Sequence, residues 1–184
     1  MGIFPNSVSE MITINDRLHP LVKQIMPGQR NQVLAFDPGE TTGVAYIDII
    51  QGAEKFQLEY FQLDTKSVKI ATTEIRDTLR CFGENTNPDF RRVVAENYRV
   101  YGWKAETHKW NDLTTSKLLG VIESMAYLSD FTFVLRMAHT PKRACNDQNL
   151  KLWGIEIPTK FKHAKDATRH AFYEVMWPKT EVDK

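Results

Sequence analysis

The chain has 184 residues, of which 42% are hydrophobic and 26% charged, values typical of one soluble globular domain with its own core. No apolar run approaches the length needed to cross a membrane, and the first residues lack the layout of a signal peptide, so we expect a cytoplasmic protein without a membrane partner. The two cysteines, Cys81 and Cys145, are far apart and form no CxxC motif, which argues against a zinc site or a disulfide framework.

The net charge of +1 is unevenly distributed along the chain. Residues 136–170 contain eight Lys or Arg and three acids, a net charge of +5, which leaves −4 for the rest of the chain. A basic strip of this kind is either a solvated face or a surface that binds phosphate, and composition alone leaves both interpretations open.

Residues 1–32 are predicted to form an N-terminal extension of unknown role, with apolar residues at helical spacing between Leu18 and Met26. The remainder, residues 33–184, is predicted to form one domain. Short apolar or alternating runs predict strands at 33–37, 43–49, 54–63, 92–96 and 131–137. The spacing of apolar residues predicts helices at 68–82, 118–126, 141–153 and 163–177. This order predicts an α/β fold with a five-stranded mixed sheet, an N-terminal meander and later parallel strands, and helices on the faces of the sheet.

Acidic residues stand at the ends of two predicted buried strands, Asp37 and Glu96, where ligand sites collect in open α/β sheets. On the last helix, His163, Asp166 and His170 have i, i+3, i+7 spacing and share one face. Three carboxylates gathered without cysteine suit Mg²⁺ or Mn²⁺, and a pair of such ions about 3.5–4 Å apart suits phosphodiester cleavage. Each acid alone could instead begin a turn or pair with a nearby Arg or Lys, but the combination favours a site.

Three segments of the chain together resemble a known family. They are residues 33–39 (VLAFDPG) followed by Thr42-Gly43, residues 93–96 (VVAE), and residues 163–167 (HAKDA). In this order they resemble the RuvC family of Holliday junction resolvases, and most closely its bacteriophage members. The resemblance covers about residues 33–177 and implies a ribonuclease H-like fold with helices on both faces of the sheet.

The resemblance also implies a site and an activity. Asp37, Glu96 and Asp166 would bind the metal ions, and His163 would take the fourth catalytic and metal-binding position. The expected activity is an endodeoxyribonuclease that uses Mg²⁺ or Mn²⁺, two ions per site, to cut branched DNA such as four-way junctions, forks or flaps. An isologous homodimer would match the near two-fold symmetry of a junction. If the chain is phage-encoded, its location is the host cytoplasm.

Residues near these acids are expected to bind nucleic acid. Cations and aromatic rings that alternate after Glu96 suit contacts with phosphates and stacking on bases, although the aromatic residues could instead fold back into the core. Basic residues flanking the last helix suit phosphate contacts. The expected contacts are Arg99, Tyr101, Lys104, Lys109, Lys142, Arg143, Lys165 and Arg169. We expect His170 to have a core or surface role and Gly120 to allow close helix packing.

Two other functions fit parts of the sequence. Residues 37–43 (DPGETTG) also resemble the phosphate loop of actin-like sugar kinases, but those enzymes need two such domains and 184 residues are too few. The second alternative is a protein of the same fold that binds branched DNA, or serves as a scaffold, without cutting. The presence of all three acids argues against that alternative.

Overall fold

The computed structural model describes residues 2–22, 30–50, 52–97 and 111–178, with only the backbone described for 111–114. The strands are β1 Val8–Thr13, β2 Arg30–Asp37, β3 Thr41–Ile50, β4 Lys55–Asp64, β5 Arg91–Asn97 and β6 Thr132–Met137. The helices are α1 His19–Val22, α2 Val68–Asn85, α3 Asn111–Leu128, α4 His139–Ala144, α5 Asp147–Leu152 and α6 Lys162–Met176. Every strand and helix predicted for residues 33–177 is present, although the segment predicted as one short basic helix forms two, α4 and α5.

The strands form one mixed sheet in the order β1-β4-β3-β2-β5-β6. Strands β2, β3 and β4 are an antiparallel meander, and β5 and β6 continue the sheet in parallel with β2. The α/β class and the mixed pairing are therefore confirmed. The number of strands was wrong, since the described part of the chain has six rather than five. The additional strand is β1, which pairs antiparallel with β4.

Helices cover both faces of the sheet, as expected. On one face, α6 packs over inward residues of β2 and β3, together with α1 and the α5 region. On the other face, the apolar stripe of α2 and the apolar residues of α3, three of them buried, pack against the opposite side chains of the same strands. The alternation of strand side chains thus fills two cores, as expected for a sheet buried on both sides. No helix within the described ranges is long and apolar enough to cross a bilayer.

The N-terminal segment is attached to the sheet by a buried glutamate as well as by β1. The carboxylate of Glu59 on β4 accepts hydrogen bonds from the backbone N–H groups of Ile3 and Phe4, at 2.7 and 3.2 Å, and from the Ser7 hydroxyl at 2.8 Å. Residues 1–32 therefore include part of the sheet rather than only a separate lead-in. The helix predicted between 18 and 26 begins as α1, and its second half lies outside the described residues.

Small residues set how closely α6 approaches the sheet. The face of α6 towards the sheet carries three fully buried alanines, as the sequence predicts: Ala164, Ala167 and Ala171. At the start of the helix, a Cβ atom on Gly43 of β3 would lie 2.0 Å from the carbonyl oxygen of His163, so only glycine permits this approach. The expectation for Gly120 was wrong, because a Cβ there would meet no described atom within 4 Å.

Candidate metal-binding nuclease site

Asp37 and His163 form the first pair of the site. Asp37 ends β2, and His163 lies in the first turn of α6, with its Nδ1 3.0 Å from Asp37 Oδ2. Burial raises the pKa of Asp37; the hydrogen bond with His163 opposes this rise, and the charges of Glu96 and Asp166 add to it. The same hydrogen bond raises the pKa of His163. Three acids from β2, β5 and α6 thus lie within electrostatic reach of one another.

The start of α6 is held in place by a side chain of β4. Gln62 accepts a hydrogen bond from the backbone N–H of His163 at 3.1 Å and donates one to the carbonyl of Lys160 at 3.3 Å. Gln62 also stands opposite Gly43 in the β3–β4 register, so the glycine and the glutamine act on the same turn of the helix. The position of His163 over Asp37 is therefore fixed from two neighbouring strands.

Glu96, near the end of β5, forms the second group of contacts. Its Oε2 atom lies 3.0 Å from Nε2 of His170 and 3.1 Å from Nζ of Lys142. Burial alone raises the pKa of Glu96, but the hydrogen bond and charge of His170, together with Lys142, outweigh it and lower the pKa to about 2. Glu96 is therefore ionised at neutral pH.

Lys142, on α4, joins the second and third acids. Its Nζ atom lies 3.3 Å from Oδ2 of Asp166 as well as 3.1 Å from Glu96. Asp166 also receives a hydrogen bond from Arg169, one turn further along α6. Burial lowers the pKa of Lys142, but the carboxylates of Glu96, Asp166 and Asp37 raise it overall. The ammonium of Lys142 thus contacts two of the three predicted ligands and is affected by the charge of the third, Asp37.

The donor set fits a hard divalent cation, although it is not arranged as a finished site. No group of three or more His, Cys, Asp or Glu side chains in the described ranges stands ready to hold a metal ion. The reason is visible in the contacts, because Lys142, Arg169 and the two histidines occupy the carboxylate oxygens. The ammonium of Lys142 nevertheless lies between the carboxylates of Glu96 and Asp166 and balances their negative charge. Asp37, Glu96 and Asp166 offer the carboxylate oxygens that Mg²⁺ and Mn²⁺ prefer, and His163 would add a ring nitrogen.

A basic recess of about 310 Å³ adjoins Asp166. Its lining residues are Lys142, Asp147, Thr159, Lys162, Lys165, Asp166 and Arg169. Three of the residues predicted to contact nucleic acid, Lys142, Lys165 and Arg169, therefore share one hollow beside the acids. Arg143 is exposed on α4 and is not among the lining residues. The other four predicted contacts, Arg99, Tyr101, Lys104 and Lys109, lie outside the described residues.

Two contacts in this region were not predicted from the sequence. His170, expected in the core or on the surface, is fully buried, but its contact with Glu96 was not foreseen. Its spacing from His163 and Asp166 was the available signal. Asp147, for which the sequence predicts no role, pairs with Lys165 at 3.4 Å and with Arg169 at the mouth of the recess. That pairing depends on how α5 lies against α6, which has no signature in the local sequence.

Comparison with solved structures identifies the fold. RuvC of Thermus thermophilus in complex with a Holliday junction substrate matches with a TM-score of 0.54 at 15% identity, over 80% of this chain and 96% of that chain. A second Thermus thermophilus RuvC structure matches with a TM-score of 0.54 at 14% identity, over 79% and 94% of the two chains. The yeast mitochondrial Holliday junction resolvase Ydc2 has a TM-score of 0.45 at 14% identity, over 88% and 85%.

The two matches to Thermus thermophilus RuvC establish the class of fold. The chain adopts the ribonuclease H-like fold of the RuvC-type Holliday junction resolvases. The sequence itself matches no protein-family model and no curated protein.

Proposed function

We propose that the protein is a divalent-metal-dependent endonuclease that cuts branched DNA, with four-way junctions as its main substrate. The observation that carries this proposal is that Glu96 and Asp166 share one ammonium group beside a basic recess, while Asp37 lies within electrostatic reach of both acids. The fold supports the same conclusion, since it is shared with a resolvase solved in complex with a Holliday junction.

Each residue of the site has a definite task in this proposal. Asp37, Glu96 and Asp166, with His163, would bind two Mg²⁺ or Mn²⁺ ions, which lower the pKa of an attacking water and stabilise the leaving oxygen. His163 is engaged by Asp37 through Nδ1, and 43% of its side chain is exposed. Its Nε2 atom is thus the one left to bind a cation, which it would do as a neutral ring. The hydrogen bond with Asp37 raises the pKa of His163, so cation binding at Nε2 would displace a proton from the ring.

Lys142 and the recess would hold the DNA backbone. The Lys142 ammonium neutralises Glu96 and Asp166 in the described structure, and it can turn to a phosphate once these carboxylates bind a cation. Lys165 and Arg169 would contact neighbouring phosphates, with Arg143 as an outer contact. The proposal retains Arg99, Tyr101, Lys104 and Lys109 as further contacts and a homodimer as the form that cuts both strands.

The test is cleavage of a labelled four-way junction by the wild type and by Asp37→Asn, Glu96→Gln and Asp166→Asn. Cleavage should require Mg²⁺ or Mn²⁺ and be nearly abolished in each variant, while junction binding persists because a negative charge near phosphates has been removed. Asp130→Asn is the matched control: Asp130 is an exposed acid with a φ of 57°, a conformation that asparagine also tolerates. Cleavage in excess EDTA would contradict the proposed mechanism. Binding without cleavage in any metal would instead support the silent binding or scaffold protein.

A further inference from the structure

We propose that His170 is a positioning residue whose Nε2–H group holds the Glu96 carboxylate in place for cation binding. This inference rests on the proposed function, because it concerns one ligand of the proposed metal site. It assigns a task to a histidine that lies two turns beyond His163 on α6.

Among the described residues, one contact explains why a polar ring stands at this buried position. His170 lies on α6 and is fully buried, and its Nε2 atom lies 3.0 Å from Oε2 of Glu96. Its Nδ1 atom is buried and makes no hydrogen bond within the described part of the chain. A buried polar atom without a partner lowers stability, so packing alone would favour a leucine here. The hydrogen bond to Glu96 is therefore the reason for a histidine.

Glu96 has two neighbours that could keep its carboxylate oriented, Lys142 and His170. Lys142 contacts the same Oε2 atom, but it is a flexible side chain that is 36% exposed and is shared with Asp166. His170 is rigid by comparison, because its ring is enclosed and its helix lies on the sheet through Ala167 and Ala171. If Lys142 leaves Glu96 for a phosphate, the bond from His170 remains. Outer hydrogen bonds of this kind typically raise the metal affinity of a ligand set by about 10–100-fold.

The experiment compares Mn²⁺ binding, measured by titration calorimetry, in wild type and in His170→Gln, His170→Asn and His170→Leu. Glutamine places an amide N–H at the same distance along the side chain as histidine Nε2, whereas asparagine reaches only the Nδ1 position. The affinity should fall by about 10–100-fold in the Asn and Leu variants and return to within a few-fold of wild type in the Gln variant. The unfolding temperature in EDTA is measured alongside; the Asn and Leu variants leave Glu96 without this hydrogen bond and should be less stable, whereas the Gln variant should match the wild type.

Thr168→Val is the matched control, because Thr168 is also fully buried on α6 and its hydroxyl donates a hydrogen bond to the carbonyl of Ala164 in the same helix. It should leave Mn²⁺ affinity unchanged. Equal affinity in wild type, Asn and Leu variants would overturn the inference and leave the metal site standing. Losses of affinity that follow losses of stability in all three His170 variants would overturn it as well. If the wild type itself binds no Mn²⁺, the proposed metal site fails and the inference fails with it.

Discussion

Substituting alanine for Gly43 tests whether contact between β3 and the first turn of α6 sets the geometry of the site. The added Cβ would lie 2.0 Å from the carbonyl oxygen of His163, 2.1 Å from its carbonyl carbon and 2.5 Å from the nitrogen of Ala164. All three are backbone atoms of a helix, so no side-chain rotation can relieve the clash. The helix, the strand or both must move.

The size of the movement follows from these distances. Non-bonded heavy atoms settle at about 3.5 Å or more, so the first turn of α6 must move by about 1.5 Å relative to β3. Such a shift takes Nδ1 of His163, now 3.0 Å from Asp37, out of hydrogen-bonding range. Overpacking of this kind costs about 1–3 kcal/mol, and the upper end applies because the obstacle is backbone. A displacement of about 1 Å in a catalytic group is enough to reduce a rate by about 100-fold.

The assays are thermal unfolding in EDTA and junction cleavage in Mg²⁺, with Gly39→Ala as the control. A Cβ on Gly39, in the turn just before β3, would meet the Thr41 carbonyl oxygen at 3.5 Å, an ordinary contact, and no other described atom within 4 Å. At about 2–4 °C per kcal/mol for a chain of this length, a loss of about 3 kcal/mol lowers the unfolding temperature of Gly43→Ala by about 6–12 °C. Cleavage should fall by about 100-fold or more, and Gly39→Ala should behave as wild type. A Gly43→Ala protein as stable and active as wild type would refute the reasoning.

Three further predictions concern charge and helix propensity. The pKa of Glu96 is lowered from 4.5 to about 2, so its ionised form stabilises the fold fully above about pH 4.5 and this contribution disappears as the pH falls towards 2. Glu96→Gln should therefore lower the unfolding temperature in EDTA at pH 7, and lower it less at low pH. Asp37→Asn should raise the unfolding temperature at pH 7, because burial raises the pKa of Asp37 and its ionised form therefore destabilises the fold. Charge reversal at Lys142 and Arg143 should flatten the slope of log K against log salt in junction binding by about 0.9 for each phosphate that is no longer neutralised. The control Lys69→Glu, on α2, should leave the slope unchanged. Equal slopes in the wild type and the double variant would indicate that Lys142 and Arg143 belong to an ordinary solvated surface. Gly120→Ala, at an exposed position within α3, should stabilise the protein by about 1 kcal/mol in the same melts, and a decrease in stability would show that Gly120 has a packing role.

Much of the fold is readable from the sequence because its central strands are buried on both faces. Such strands appear as short apolar runs, and the acids that end β2 and β5 mark where the runs reach the edge of the sheet. Parallel pairing of β5 with β2 then brings Asp37 and Glu96 to the same edge. The helical spacing of His163 and Asp166 is equally local, so the candidate ligand set could be predicted without tertiary information.

Strand β1 could not be predicted in the same way. Its inward face carries Val8, Glu10 and Ile12, so a charged residue interrupts the apolar alternation, while Met11 faces outward. Glu10 is accommodated there because the hydroxyl of Tyr60 donates a hydrogen bond to it at 2.9 Å. That partner lies fifty residues away in sequence. The pattern of the strand makes sense only after its neighbour is known.

The contacts of His163, His170 and Lys142 depend on how α4 and α6 pack, which the spacing of residues along the sequence does not determine. The shared face of His163 and His170 is evident from the sequence, but the tilt of α6 over the sheet decides that one meets Asp37 and the other Glu96. Likewise, the predicted phosphate contact of Lys142 stays a prediction, whereas its contacts with Glu96 and Asp166 were not predicted. They arise because α4 follows β6 directly and packs on α6.

The docking of β1 on β4 also determines how this sheet meets other molecules. Without β1, the outer strand would be β4, ten residues long, with a row of unpaired backbone N–H and C=O groups. Long open edges of this kind template pairing between chains and lead to aggregation. Strand β1 replaces that edge with one of six residues whose outward side chains include Ser9 and Thr13. The buried Glu59, by holding the residues just before β1, thus helps to keep β1 on β4 and the longer edge covered.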